Sequence, residues 1–207
     1  MELYDYYRST ACYRVRIALH LKKIPYDTIT INLVHEGGEH HHADYLSVNP
    51  QGLVPTLSNH GDCLHQSLAI IEYLDEQHPT PALLPTDSWD KAQVRSLALM
   101  IASDMHPLNN LRVLQQLRQQ FNANEPQITE WYHHWLRLGF TAIEKKLTKL
   151  PRSKNVCYGE HITLADLCLI PQLYNAKRFH FPLDSYPLIG EINEFCLLNP
   201  AFITAKP

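Results

Sequence analysis

The run His78-Pro79-Thr80-Pro81-Ala82-Leu83-Leu84-Pro85 places three prolines in seven residues. Proline lacks a backbone N–H and restrains the residue before it, so neither a helix nor a strand continues through such a run. The residue pattern differs on its two sides. Before it, short apolar stretches alternate with helical ones. After it, apolar residues recur at helical spacing over long stretches with few β-branched residues. The run therefore divides the chain into an α/β N-terminal domain, residues 1–80, and an all-α C-terminal domain, residues 86–207.

In the first part, residues 3–7 read as a central strand and residues 14–22 as a helix that turns Val15, Ala18, Leu19 and Leu21 inward. Residues 27–33 alternate, with Ile29, Ile31 and Leu33 on one face and Thr28, Thr30 and Asn32 on the other, the period of a strand. Val54-Pro55-Thr56-Leu57 leads into a strand, Asn59-His60-Gly61-Asp62 turns, and Cys63-Leu64-His65 returns. Residues 67–77 follow as a helix, with Ser67 as its N-cap and Leu68, Ile71 and Leu74 as its stripe. A parallel βαβ unit followed by a hairpin and a helix is a thioredoxin-like plan.

In the second part, residues 89–120 and 129–149 are expected as long helices. Thr163-Leu164-Ala165-Asp166 is a capping pattern before a buried apolar run, and residues 187–198 are expected as the last helix. His106-Pro107-Leu108-Asn109-Asn110-Leu111-Arg112 sets a proline and polar groups inside a helical pattern, which predicts a kink facing something polar.

Composition narrows the function classes. The 207 residues are 45% hydrophobic, sufficient for a sizeable core, and the net charge of −3 provides no basic face for nucleic acid. No uninterrupted apolar window reaches membrane-spanning length, and Met1-Glu2-Leu3-Tyr4-Asp5 does not open a signal pattern. The five cysteines are odd in number and lack metal-ligand spacing, which fits a reducing compartment; the cytoplasm is the expected address.

Three short segments are placed to carry chemistry. Arg8-Ser9-Thr10-Ala11-Cys12-Tyr13-Arg14 joins the first strand to the first helix. A helix N-terminus carries unpaired N–H groups and partial positive charge, which favour an anion such as a thiolate. The alternative is that Ser9 or Thr10 only caps the helix and the arginines are solvated. Ser9-x-x-Cys12 has the spacing of a redox pair but only one thiol, so Cys12 reads as a packing residue. A cis Val54–Pro55 bond would offer the Val54 backbone to a peptide-like ligand, whereas a trans proline would simply open an edge strand. Gln66-Ser67, at another helix start, suits a carboxylate or ordinary capping. His40-His41-His42 reads as a solvated loop rather than a metal site.

Together these segments resemble the zeta-class glutathione transferases, which are also maleylacetoacetate isomerases. The family opens with a Ser-Ser-Cys-like run, an aromatic residue and Arg-Val-Arg-Ile-Ala-Leu; here residues 9–19 read Ser-Thr-Ala-Cys-Tyr-Arg-Val-Arg-Ile-Ala-Leu. The likeness continues through Asn49-Pro50-Gln51-Gly52-Leu53-Val54-Pro55, His65-Gln66-Ser67-Leu68-Ala69, Pro107-Leu108-Asn109-Asn110-Leu111, Ala165-Asp166-Leu167 and Asn175-Ala176-Lys177-Arg178-Phe179, nearly the whole chain.

The resemblance implies glutathione as cofactor and a homodimer, while charge and hydropathy lead to the expectation of no nucleic acid and no membrane as partners. It implies that Ser9 hydrogen-bonds the glutathione sulfur and that Thr10 and Ala11 line the same turn. His40 falls where the family has a glutamine that contacts the tripeptide, Val54 pairs its backbone with the cysteinyl part, and Gln66 and Ser67 hold the γ-glutamyl carboxylate. His106, Asn110, Leu111 and Arg112 approach glutathione from the helical domain, and Arg14 and Arg178 meet the substrate's carboxylates. Ala11 stands where the family often has cysteine. The implied activity is cis–trans isomerisation of maleylacetoacetate to fumarylacetoacetate, in the breakdown of tyrosine or of another aromatic compound. A general glutathione transferase or peroxidase, and a non-enzymatic binding module on the same fold, are the competing readings.

Overall fold

The computed structural model describes residues 1–152 and 155–207. The described residues form two compact units: Met1–Leu83 together with Leu198–Pro207, and Leu84–Leu197. The last ten residues thus pack with the first unit, where the sequence pattern had assigned them to the second.

The first unit runs β1 (Glu2–Asp5), α1 (Thr10–Leu21), β2 (Asp27–Thr30), α2 (Ala43–Val48), β3 (Thr56–Asn59), β4 (Asp62–His65), α3 (Ser67–Gln77) and, from the chain's end, α9 (Pro200–Ala205). The sheet order is β2-β1-β3-β4. β1 pairs in parallel with β2, Leu3 opposite Thr28, and antiparallel with β3, Leu3 opposite Leu57; β3 and β4 form the hairpin. β2 stops at Thr30, shorter than the alternation suggested, yet Ile29, Ile31 and Leu33 all pack into one cluster with Tyr6, Cys12, Tyr45 and Val54.

Helix α1 is buried nearly all round, because it packs against both α3 and α9. Its cations are therefore inside, in contrast to the solvated reading. The Arg16 guanidinium pairs with Asp5 and donates to the carbonyl oxygens of Tyr7 and Ala205, each at 2.9 Å. The Tyr13 hydroxyl donates to Phe202 O at 2.8 Å. These bonds draw the C-terminal residues into the first unit. At the other end of α1 the Lys22 ammonium donates to Asp75 Oδ1 at 2.7 Å and to the carbonyls of His78 and Pro81 at 2.6 and 2.9 Å. A charge this deep is tolerated because every donor has an acceptor. Leu21 is half-exposed, while Ile70 rather than Leu68 joins Ile71 and Leu74 in the stripe of α3.

In the second unit the long expected helix is interrupted. α4 (Ser88–Leu99) passes into a π-helical turn at Met100–Met105 and a 3-10 turn at Pro107–Asn109 before α5 (Leu111–Phe121). The His106 N–H reaches five residues back to Ile101 O, and Pro107 has no N–H to offer, so the kink falls where the proline predicted it. α6 (Glu125–Leu147) starts one turn earlier than expected, on an Asn124/Gln127 capping box. Its buried stripe is Ile128, Tyr132, Leu136, Phe140, Ile143 and Leu147.

α7 (Leu164–Arg178) is buried along most of its length and opens on the Thr163/Asp166 box. Buried Asp166 accepts from the N–H groups of Cys157 at 2.8 Å and Thr163 at 2.7 Å. α8 (Pro187–Cys196) is capped by Glu144, which accepts from Leu188 and Ile189 N–H. Among the described residues no helix is long and apolar enough to cross a membrane.

Candidate functional site

Ser9 is the N-cap of α1, and its Oγ accepts from Cys12 N–H at 3.2 Å. The hydroxyl rotates, so its hydrogen can turn to the Cys12 thiol, which lies within hydrogen-bonding reach, or outward to a ligand. Thr10 and Ala11 form the first turn of the helix, the end that bears partial positive charge. Cys12 packs in the cluster of Tyr6 and Val54 with its thiol within hydrogen-bonding reach of Ser9; burial pushes that thiol well above the usual range, so it packs and does not react.

Val54 follows a loop fixed by side chains. Asn49 Nδ2 and the Tyr45 hydroxyl both donate to Leu53 O, at 2.7 and 2.6 Å, and Asn49 Oδ1 accepts from Gln51 N–H. The Val54–Pro55 peptide is cis, as is Thr80–Pro81, which the sequence reading did not anticipate. Neither the N–H nor the C=O of Val54 has a hydrogen-bond partner among the described residues.

Gln66 takes φ +74° as the cap residue of α3 and makes no side-chain cap bond, which corrects the assignment of Ser67 as N-cap. Ser67 is instead the first helical residue. Among the described residues no side chain caps the first-turn N–H groups of α3, which suits them to an anion. The Gln66 amide donates to Gln51 Oε1 at 2.8 Å, which brings Gln51 to the site. The motif Asn49-Pro50-Gln51-Gly52 was visible in the sequence, but nothing local linked it to Gln66.

Arg14 differs from its expected role. It is 2% exposed, and its Nη1 donates to Ser67 Oγ at 3.3 Å. The burial of α1 on all sides turns this residue inward, so it supports Ser67 and is not displayed to a substrate. Arg8, which sequence reasoning passed over, is the exposed cation beside Ser9, lying over the Tyr7 ring at 5.1 Å.

His40 also departs from the solvated reading. It is buried, its ring sits 3.8 Å from that of exposed His41, and its buried Nδ1 has no hydrogen-bond partner among the described residues. Gly38, at φ +103°, makes room: a Cβ there would stand 2.3 Å from His40 Cε1. Burial, then the neighbouring His41 and His42, lower its pKa. No group of three or more His, Cys, Asp or Glu among the described residues is arranged to hold a metal ion.

On the second unit, His106 ends the π-helical turn, Asn110 caps α5 by accepting from Arg112 N–H at 3.2 Å, and Leu111 and Arg112 begin that helix, Arg112 exposed. Arg178 is exposed at the last residue of α7.

The mixed sheet, the free Val54 backbone, the open α3 N-terminus and the helical second unit define a chain of the glutathione transferase fold. Residues 3–82 match the family model described as "Glutathione S-transferase, N-terminal domain". A probable maleylacetoacetate isomerase of Vibrio cholerae is 45% identical over 99% of this chain and 94% of its own. The crystal structure of a glutathione S-transferase from Legionella pneumophila superposes with a TM-score of 0.89 at 57% identity, covering 100% of both chains. The holo structure of a maleyl pyruvate isomerase, described as a bacterial zeta-class glutathione transferase, gives a TM-score of 0.97 at 43% identity over 100% of this chain and 97% of that one. A maleylacetoacetate isomerase from Methylobacterium extorquens, solved with bound malonate and glutathione, gives 0.95 at 35% identity, covering 100% of this chain and 96% of that one. The chain belongs to the zeta-class glutathione transferases, the maleylacetoacetate isomerase family.

Proposed function

We propose that this protein is a glutathione-dependent cis–trans isomerase acting on maleylacetoacetate. The observation that carries the reading is Ser9: a capping serine whose oxygen accepts from Cys12 N–H and whose rotatable hydroxyl can donate to an anion at the positive end of α1. When bound, glutathione supplies a thiolate nucleophile that adds to an electron-poor double bond and leaves it again, so that it is regenerated.

The residues present fit that group. The Ser9 hydroxyl and the α1 N-terminus favour a thiolate over a thiol. The unpartnered Val54 N–H and C=O match the backbone of a peptide-like ligand. Ser67, with buried Arg14 behind it, and Gln66, held by Gln51, stand at an uncapped helix start suited to the γ-glutamyl carboxylate. A place for His40 toward the tripeptide rests on the resemblance, and its burial favours the neutral ring. Thr10 and Ala11 line the turn beside Ser9.

Substrate carboxylates are met by exposed arginines. Arg8 replaces Arg14 as the candidate next to Ser9, since Arg14 is inside the fold. Roles for His106, Asn110, Leu111 and Arg112 toward glutathione, and for Arg178 toward a substrate carboxylate, rest on the resemblance. A homodimer is proposed on the same ground. The five free cysteines are consistent with a cytoplasmic, reducing setting.

The test is isomerisation of maleylacetone with and without catalytic glutathione, wild type beside Arg178→Ala. Turnover that needs glutathione but does not consume it, and falls in the variant, supports the isomerase. Glutathione binding with conjugation of other electrophiles and no isomerisation would make the protein a general transferase. Absence of glutathione binding would leave a binding module.

A further inference from the structure

We infer that Asn175 positions Arg178 for a carboxylate and so helps determine substrate specificity; the inference rests on the proposed role of Arg178. α7 ends at Arg178, with Phe179 as its cap residue. Phe179 is fixed twice against α6. Its ring stacks on Tyr132 with centroids 3.7 Å apart and planes 10° from parallel. Its carbonyl oxygen lies 2.7 Å from His133 Nε2. A carbonyl only accepts, so that nitrogen carries the proton, and the backbone next to Arg178 is anchored.

The guanidinium is held separately. Nη1 donates to Asn175 Oδ1 at 3.0 Å, one helical turn back. Its central carbon lies 6.0 and 5.9 Å from the ring centroids of Tyr174 and Phe179. The Nε and Nη2 edge of this exposed side chain has no acceptor among the described residues. That edge presents two parallel N–H groups, the arrangement a carboxylate accepts in bidentate fashion. The α7 C-terminus, with its partial negative charge, also favours a cation there.

A free surface arginine loses rotamer freedom when it binds. Here Asn175 and the two rings restrict it beforehand, so less is lost on contact with substrate. Asn175 does not touch the substrate in this scheme; it acts through Arg178. Removing it should therefore raise KM and leave the chemical step alone.

The experiment compares Asn175→Ala, Asn175→Asp and Arg178→Ala with the wild type in maleylacetone isomerisation, with glutathione affinity measured in parallel and thermal melts as a check on folding. Asn175→Ala is expected to raise KM about two- to tenfold, with kcat and glutathione affinity unchanged. Asn175→Asp preserves the side-chain shape but sets a carboxylate against the guanidinium, in competition with the substrate's own, and should raise KM at least as much. A wild-type KM in both Asn175 variants, alongside a raised KM in Arg178→Ala, overturns the inference while sparing the Arg178 assignment. A wild-type KM in Arg178→Ala overturns that assignment and this inference with it.

Discussion

Arg14 Nη1 reaches Ser67 Oγ at 3.3 Å, joining the first helix to the start of α3 across 53 residues of chain. The contact sets a buried cation behind the helix end proposed to hold a carboxylate. A hydrogen bond to a charged group is worth about 1.5–3 kcal/mol. Arg14→Met should therefore weaken glutathione binding by roughly tenfold or more. Titration calorimetry would read this, and a ligand lacking the γ-glutamyl carboxylate should bind both proteins alike.

Ser9 serves as cap and as donor, so its loss should appear in two measurements. Ser9→Ala gives up a helix cap worth about 1 kcal/mol, visible in urea unfolding. It also removes the hydroxyl that favours the thiolate, and the bound thiol's pKa should move up toward the ~8.5 of a free thiol. The activity profile would then shift to higher pH and kcat would fall at neutral pH. A variant with an unchanged profile and full kcat would remove Ser9 from the chemistry.

Lys22 closes the lower end of the first unit. Its side chain is 0% exposed, and it satisfies Asp75 and two carbonyls at once. Lys22→Met fills similar volume but leaves those acceptors without a donor. Breaking a buried pair in this way costs about 3–5 kcal/mol, so the urea midpoint should drop sharply. The expected loss is in stability, with the glutathione affinity of the folded fraction preserved.

His40 and His20 are both held below their usual pKa, mainly by burial. The unfolded chain binds protons to these groups more readily than the fold does. Stability should then be complete above pH ~6.5 and decline as pH falls from there toward the lowered folded values, below which the loss levels off. His40→Gln should flatten part of that decline in urea titrations at a series of pH values. An equally steep decline in His40→Gln and His20→Gln would rule out both histidines as its source.

Much of the architecture was legible because its signals are local. The alternation in residues 27–33 marked the face that packs beside Cys12 and Val54, even though the paired strand is only Asp27–Thr30. The Thr163/Asp166 box and the break at Pro107 are decided within a turn of helix, and both appear where they were expected. The candidate site was legible through its motifs. Its inner and outer members were not: Arg14 and Arg178 read alike in sequence, yet one lies at 2% exposure and the other is exposed at the end of α7.

By itself, then, the sequence determined the order of strands and helices over the first eighty residues, and the family. Tertiary structure decided which cations are buried, that His40 is inside and His41 outside, and that Leu198–Pro207 belong to the first unit. The physical reason is distance along the chain. Periodicity and capping report on neighbours a few residues apart, whereas Arg14 meets Ser67 across 53 residues and Tyr13 meets Phe202 across 189. Such contacts exist only once the helices have packed, and packing settles whether a polar group faces water or another polar group.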